Sequence, residues 1–393
     1  MLAISILFAS SICSNPTVEF EIRAADGKPR TGTVASLAFN GTLVLDGGAS
    51  IAAGPWYSIR RTNRPLPPWP QAAHVELTNG DRVVGSVVTA DGDAIIFAPT
   101  LAPERTLRFP LSALRVVWNS RPDDREPAWL NAPRRRDVIL SRNGDLASGS
   151  LISIDRASNR IRLQVEGKDQ ELELSKVAAI GFNTDLARVR RAKGPFFRLV
   201  LADGTRLSAS SVSFDGKAWK ATTLFSDSLS MPAEQIVSID VEQGMAVLLS
   251  QQKPTKYQYQ SSDGESVSWT ADRCVSGAPL RLKTALGEST FDRGIGLHSE
   301  CTITYALAGK YRRFEASVGL DARTGTRGDA VLAVLVDGKE RELPRGGRLV
   351  FSEGPLALQL DVTGAKELTI VVRPGRGGTV QDHVNLVDAL LIP

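Results

Sequence analysis

The chain has little cysteine, few aromatic residues and almost no net charge. Its 393 residues include only 3 Cys and 6% aromatic side chains, and 47 basic against 43 acidic residues leave a formal charge of +4. The isolated cysteines have no metal-site spacing, which argues against a zinc-binding domain. A charge excess this small does not indicate a nucleic-acid partner, and we predict none.

Long apolar runs are also missing. Beyond the first residues no stretch approaches the ~20 apolar residues that a membrane helix needs, so we predict no membrane span. Residues 1–14, MLAISILFASSICS, are uncharged and apolar and end in small residues. They predict a secretory signal peptide and hence an exported protein, which is periplasmic, at the cell surface or extracellular. A lipid anchor on Cys13 is the alternative.

Motifs of the common catalytic sites are absent. The sequence has no nucleophile elbow, phosphate-binding loop or metal-binding helix motif. The glycine-rich residues 375–378 lie in a late β-loop and not between a strand and a helix. A glycosidase needs two carboxylates across a cleft, usually on a scaffold of about 250 residues. Because short β-units already occupy residues 17–244, we predict that the protein is not an enzyme.

The composition is that of a β-protein with many turns. The chain contains 34 Gly and 21 Pro, and its many Val, Thr and Ser residues favour strands joined by tight turns. One motif recurs: a turn that contains glycine, then a small residue five positions later, and then a segment in which apolar and polar residues alternate. The four pairs are Gly27 and Gly32, Gly80 and Gly85, Gly144 and Gly149, and Gly204 and Ala209. They predict four β-repeats at residues 17–62, 73–119, 135–184 and 194–244.

The second repeat illustrates the motif. A half-buried strand begins at His74, Asn79-Gly80 supplies a tight hairpin turn, and Gly85 marks a bend in the next strand. Five bent strands in about 50 residues predict a small closed barrel, since closure removes sheet edges. This architecture resembles Sm-like and SH3-like small barrels. The Arg-Gly signature with which Sm-type proteins bind RNA is replaced here by Trp118-Asn119, so that site does not carry over.

Linkers separate the repeats. Residues 64–70, RPLPPWP, are predicted to be stiff and extended because proline fixes φ. Two arginine clusters follow later, the triplet Arg134-Arg135-Arg136 and residues 185–193, where we predict a short basic helix. These clusters could bind phosphate or an anionic glycan, or they could be solvated junctions.

The last third of the chain carries more specific motifs. Residues 291–299 read FDRGIGLHS, residues 363–368 read TGAKEL, and residues 382–389 read DHVNLVDA. In this order and spacing, residues 256–393 resemble the NPCBM family of carbohydrate-binding modules, which is also found attached to family 98 glycoside hydrolases. The resemblance implies a galactose-binding-like jelly-roll β-sandwich that binds sugars with loops at one end. The predicted fold class is therefore all-β, with four tandem small β-barrel-like repeats followed by this jelly roll.

Polar side chains within these motifs are the candidate carbohydrate ligands. His298 and His383 can each offer a donor and an acceptor to sugar hydroxyls, or hold a loop from inside. Asp321 and Asp382 could accept from hydroxyls, hold a structural calcium ion or cap turns. Asn385 belongs to the same closing motif as Asp382 and His383.

Aromatic residues that could stack on a sugar ring are less clearly indicated by the sequence than the polar ligands are. Trp269 could stack on a sugar ring or fill the core at the first strand of the sandwich. The family usually has an aromatic residue where this chain has Leu386. If that aromatic residue stacked on the sugar, its loss would weaken binding, and if it only filled the core, leucine would be tolerated.

The remaining cysteines also leave two alternatives. If Cys13 is removed with the signal peptide, Cys274 and Cys301 form an even pair that could be a disulfide in an oxidising compartment. The alternative is two separate, small buried residues.

We therefore predict an exported, non-catalytic carbohydrate-binding protein. The C-terminal module docks on a glycan or polysaccharide, and the repeats act as a stalk or as an interaction surface for envelope proteins. The alternative is a cell-envelope structural or protein-interaction protein without sugar binding. A third interpretation, nucleic-acid binding by the basic linkers, predicts retention on polyanions that falls steeply with salt.

Overall fold

The computed structural model describes residues 18–52, 54–121, 126–225, 227–260 and 266–393. The predicted signal peptide at residues 1–14, including Cys13, lies outside them. Within these ranges the regular structure is almost all β, and the one α-helix, Ala128–Asn131, has four residues. No helix in the described ranges is long and apolar enough to cross a membrane.

The N-terminal part of the chain contains four sets of five strands. Set 1 comprises β1 (Glu19–Ala24), β2 (Arg30–Leu37), β3 (Leu43–Leu45), β4 (Ser50–Ile51) and β5 (Trp56–Arg61). Set 2 comprises β6 (His74–Leu77), β7 (Arg82–Asp91), β8 (Ala94–Pro99), β9 (Leu107–Pro110) and β10 (Leu114–Trp118). Set 3 comprises β11 (Asp137–Ser141), β12 (Leu146–Asp155), β13 (Arg160–Val165), β14 (Lys168–Glu173) and β15 (Val177–Gly181). Set 4 comprises β16 (Phe196–Leu201), β17 (Arg206–Phe214), β18 (Ala218–Thr223), β19 (Ser228–Pro232) and β20 (Ile236–Glu242).

One pairing scheme occurs in every set. The first strand pairs antiparallel with the second and with the fifth, as β6 does with β7 and β10. The second strand is long, and its pairing with the third strand is irregular; in β7 the register shifts between Val87 and Thr89. At Gly85 φ is +152° and a Cβ atom would lie 2.1 Å from the carbonyl oxygen of Ala98. Only glycine fits there, because β7 and β8 approach each other too closely for a side chain.

The four sets are joined side by side into one network of 20 strands. The last strands of sets 1 and 4 pair, with Ile59 of β5 opposite Ile239 of β20. The last strands of sets 2 and 3 pair likewise, with Val117 of β10 opposite Ile180 of β15. A single hydrophobic core runs through all four sets. The predicted closure into separate barrels and the predicted limits of the repeats stay predictions.

The linkers differ from expectation in two places. Residues 185–193 contain a turn, a segment without regular secondary structure and a bend, so the predicted basic helix is wrong. The backbone there is held by tertiary bonds instead, since the N–H of Arg188 donates to the carbonyl of Ser112 (2.7 Å). Arg134 is buried, and its guanidinium donates to four backbone carbonyls, including those of Leu130 and Phe182. Arg134 is therefore a structural cation and not part of a solvated junction.

The C-terminal part is a sandwich of two antiparallel sheets. The strands of the first sheet are β21 (Val247–Leu248), β23 (Thr270–Ala271), β26 (Gly294–His298), β28 (Arg313–Leu320), β32 (Leu356–Asp361) and β34 (His383–Ile392). Those of the second are β22 (Lys256–Tyr259), β27 (Cys301–Ala306), β29 (Asp329–Val336), β30 (Lys339–Glu340), β31 (Arg348–Val350) and β33 (Glu367–Pro374). A hairpin of β24 (Leu280–Thr284) and β25 (Gly287–Phe291) covers part of the outer face. Aliphatic side chains from both sheets fill the space between them.

The sandwich packs directly on the strand sets. A second apolar cluster combines Leu66, Val200 and Val237 of the N-terminal part with Leu280, Phe291 and other residues of the sandwich. The proline-rich linker lies in this junction, because Trp69 is buried and its indole N–H donates to Asp292 (2.8 Å). Residues 64–70 therefore form part of the interface. They contain no helix or strand, and their predicted stiff, extended conformation stays a prediction.

Candidate functional site

The two predicted histidines meet at one end of the sandwich. His298 is the last residue of β26 and His383 the first of β34, and the two are directly paired across the sheet. Their ring centroids are 5.4 Å apart. Tyr259, at the end of β22 in the other sheet, places its ring 6.0 Å from that of His298. Both imidazoles are partly exposed, so neither is sealed in the core. We call this end of the molecule the histidine end.

His383 keeps one ring nitrogen inside the fold. Within the described part of the chain its Nδ1 atom is buried and has no hydrogen-bond partner, so a sugar hydroxyl would have to approach the other ring nitrogen, Nε2. Burial, and next the neighbouring His298, lower the pKa of His383 below its ordinary value. A neutral imidazole has one donor and one acceptor nitrogen, which is the combination that a sugar hydroxyl can use.

Asp321 and Asn385 hold the histidine end from inside. Both are fully buried. The Asn385 amide donates to Asp321 Oδ2 (2.7 Å) and to the carbonyl of Arg281 (3.2 Å). The N–H of Asp321 in turn donates to the carbonyl of His383 (2.8 Å). In this structure the two side chains position the strand that carries His383 and do not face solvent.

Asp382 is buried as well. Its Oδ1 accepts a hydrogen bond from the N–H of Asp329 (2.9 Å), and its carbonyl accepts one from the N–H of Ser299 (3.2 Å). Burial raises the pKa of the Asp382 carboxyl. The residue therefore ties three loops together next to the imidazoles.

Holding a structural calcium ion is one of the three roles considered for Asp321 and Asp382. Among the described residues, no cluster of three or more His, Cys, Asp or Glu side chains is close enough to hold a metal ion. The Asp321 carboxylate is already engaged by the Asn385 amide and by the N–H of Arg323.

The two apolar candidates lie in or against the core. Leu386 is fully buried among the aliphatic residues of the sandwich, so in this chain the position is a core position. Trp269 is partly buried and packs against the same core. Stacking of Trp269 on a sugar stays a prediction.

Cys274 and Cys301 are not joined. Both are free, buried thiols, and they belong to different apolar clusters. The disulfide alternative is therefore wrong, and the alternative of two separate buried residues describes them. Burial raises the pKa of Cys301 to about 12, which makes this thiol unreactive.

Sequence reasoning missed Tyr259, which touches the histidine pair. Its hydroxyl lies 3.4 Å from Nδ1 of His298. The residue belongs to the segment KYQY, whose alternation indicates a strand but gives no sign that its last ring reaches the opposite sheet.

The C-terminal part matches a known family. Residues 246–392 match the model of the NPCBM/NEW2 domain. This match confirms the resemblance drawn from the motifs of the last third of the chain. It begins near β21, ahead of the predicted limit at residue 256. No curated protein matches the chain.

Several solved structures are similar to parts of the chain. The CBM51 module of GH95 from Clostridium perfringens, in complex with methyl-galactose, is 25% identical with a TM-score of 0.34, over 37% of this chain and 99% of that one. CBM51-2 in complex with GlcNAc, with the INT domains of Clostridium perfringens ZmpB, is 24% identical with a TM-score of 0.35, over 46% of this chain and 38% of that one. The tandem CBM51 modules of a family 98 glycoside hydrolase from Streptococcus pneumoniae are 13% identical with a TM-score of 0.34, over 65% and 87%.

Proposed function

We propose that this chain, whose residues 246–392 match the NPCBM/NEW2 domain, is a non-catalytic protein that docks on a glycan through its histidine end. The observation that carries the proposal is the pairing of two partly exposed imidazoles, His298 and His383, on adjacent strands. Their positions are fixed by a buried polar layer beneath them.

The chemistry of the pair suits hydroxyl recognition. An imidazole nitrogen can form a hydrogen bond with a sugar hydroxyl, and the ring of Tyr259 adds an apolar face beside the pair. Because Asp321, Asp382 and Asn385 are buried, they act by holding the loops, and direct contact with the sugar falls to the two histidines and Tyr259. The expected ligand is therefore an uncharged sugar bound at the end of the sandwich.

The strand sets have a supporting role in this proposal. They present the sandwich on a rigid base and offer a surface for envelope proteins. We also propose that the protein acts outside the cytoplasm, as the apolar residues 1–14 suggest. The burial of Asp321, Asp382 and Asn385 favours a second candidate, a structural protein of the cell envelope whose sandwich no longer binds sugar.

A glycan array probed with the full chain tests the first candidate. Methyl-galactose and GlcNAc, the ligands named for two similar structures, are the first compounds to include. We expect a defined set of glycans to bind, and the double variant His298→Ala/His383→Ala to lose at least tenfold in affinity. Lys339→Ala, an exposed substitution in the β29–β30 hairpin at the other end of the sandwich, serves as the control and should bind as the wild type does.

Two results would contradict sugar binding at the histidine end. If the wild-type chain binds no glycan on the array, or if the double variant and the control bind equally well, the sugar site is not at the histidine end. The envelope candidate then stands, and a pull-down from an envelope extract with the wild-type chain should recover a specific protein.

A further inference from the structure

Six exposed cations follow the junction between sets 2, 3 and 4. They are Arg135, Arg136, Arg188, Arg190, Arg191 and Lys193. We call this group the basic seam. Within the described part of the chain none of the six makes an ion pair, and Asp185 is the one acidic residue between positions 184 and 193. Three other exposed cations, Arg160, Arg162 and Lys176, are each paired with a carboxylate.

The seam is held in place by the sets beneath it. Asn183 donates to the carbonyl of Arg135 (2.9 Å), and Thr78 donates to the carbonyl of Arg188 (2.9 Å). The Arg190 guanidinium lies 5.6 Å from the ring centroid of Phe225 in set 4. Arg136 and Arg188 line the same groove between sets 2 and 3. The cations therefore lie on one anchored track and not on a loose tail.

The basic seam is long enough to contact several units of a polymeric ligand. Residues 187–192 have no regular secondary structure, and a seven-residue segment can span up to about 25 Å when it is fully extended. Two aliphatic side chains, Leu186 and Val189, are exposed among the cations. A ligand that fits must carry repeated negative charges and also offer apolar surface between them.

From this arrangement we propose that the basic seam binds an acidic polysaccharide, one whose sugar rings carry carboxylate or sulfate groups. Such a polymer pairs its anionic groups with the guanidinium groups and lays the C–H faces of its rings against Leu186 and Val189. The site is separate from the histidine end, because every contact of the seam described above lies in sets 2, 3 and 4.

Nucleic acid fits less well. Single strands are bound by stacking bases on exposed aromatic rings, and the exposed aromatic side chain of the described residues, Phe39, lies in set 1. Proteins commonly bind double-stranded DNA by placing an α-helix in the major groove, and the one α-helix of the described chain has four residues.

A binding titration against salt tests the proposal. Heparin and polygalacturonate are the sulfated and carboxylated probes, used with the full chain from 25 to 300 mM NaCl. The test variant is Arg190→Gln/Arg191→Gln/Lys193→Gln. The matched control is Arg160→Gln/Arg162→Gln/Lys176→Gln, which removes the same three charges from exposed positions that already have partners.

We expect the wild-type chain to bind at least one of the two probes, and the logarithm of the binding constant should fall linearly with the logarithm of salt concentration because counterions are released. The seam variant should bind at least tenfold more weakly at 50 mM NaCl and show a shallower salt slope, while the control stays within about threefold of the wild type. Because all substituted side chains are exposed, both variants should melt like the wild type.

Three results would overturn the proposal. They are no binding of either probe at 25 mM NaCl, an equal loss of affinity in the seam variant and the control, and equally tight binding of a DNA duplex or single strand. The last result would assign the seam to nucleic acid. Binding of neutral sugars at the histidine end is measured separately. If those sugars do not bind, the proposal for the basic seam is unaffected.

Discussion

The side chain of Asn385 joins two loops at the histidine end, since its amide donates to Asp321 and to the carbonyl of Arg281. We predict that Asn385→Ala lowers the free energy of unfolding by about 1–3 kcal/mol, because it leaves a buried carboxyl without its donor. Urea unfolding of the full chain measures this. His298→Ala, at a partly exposed position, should cost clearly less, and an equal cost for both would contradict the positioning role.

Asp240 gives stability a pH dependence. It lies where sets 1 and 4 meet the sandwich, accepts from Ser58, and is close to Arg60 and Asp388. Burial above all, with the nearby carboxylate of Asp388, raises its pKa to about 6 from 3.8. The folded state thus holds this proton more tightly than the unfolded state. The stabilisation that comes from holding this proton is therefore fully present below about pH 4 and is lost as the pH rises through about 6.

The variant Asp240→Asn should remove this dependence. We subtract the free energy of unfolding of the wild type from that of the variant at each pH. This difference should be larger at pH 7.5 than at pH 4, by an amount on the order of 3 kcal/mol for a pKa shift of two units. Denaturant titrations at the two pH values measure the change. A wild-type-to-variant difference that is the same at both pH values would contradict the assignment.

Among the elements, β7 depends on Gly85. We predict that Gly85→Ala costs about 2–4 kcal/mol, because the new Cβ atom would overlap the Ala98 carbonyl and φ is +152°. Gly80→Ala is the matched control. Gly80 also has a positive φ, of +86°, but nothing lies within 4 Å of its Cβ position, so only the backbone strain of about 1–2 kcal/mol applies. Equal melting temperatures for the two variants would contradict the steric role assigned to Gly85.

The sequence predicts single elements better than their assembly. In set 2 a strand begins at His74 as predicted, because alternation and glycine turns are local signals. All four residues of this strand are buried, however, and not half-buried as predicted, since burial depends on the packing of other strands. The pairing of β5 with β20 has no local signal, since the partners are far apart in the chain. The helix predicted at residues 185–193 fails for the same reason, because tertiary hydrogen bonds outweigh weak local propensity.

The candidate site was predictable in part. The two histidines stand in recognisable motifs, and the structure brings them together. The burial of Asp382 and Asn385 could not be read from the sequence, because it depends on how loops from different strands pack over them. Tyr259 was missed because its strand belongs to the other sheet.

At the scale of the whole molecule, the sandwich and the strand sets share buried charges. Asp292 accepts from Trp69 and Arg206, and all three side chains lie in the junction. Burial alone would raise the pKa of Asp292, but the positive charges of Arg206, Arg198 and Arg82 hold it well below its ordinary value. The junction is therefore part of the folded core of the protein, which is why the binding tests above use the full chain.

We predict that Asp292→Ala destabilises the full chain by about 3–5 kcal/mol, because Arg206 would stay buried without its carboxylate. Thermal unfolding measures this. Glu340→Ala breaks an exposed pair with Arg373 and should cost less than about 1 kcal/mol. A small effect of Asp292→Ala, equal to that of Glu340→Ala, would mean that the two parts of the molecule fold independently.

The three histidines of the chain allow the most direct test of sugar binding. Each imidazole gives its own signals in a proton–nitrogen NMR spectrum, and His74, buried in set 2, is an internal reference. On addition of a glycan that the full chain binds, we predict that the signals of His298 and His383 shift together while those of His74 stay in place. If a bound glycan leaves the signals of both His298 and His383 unmoved, the ligand lies elsewhere and the central claim is wrong.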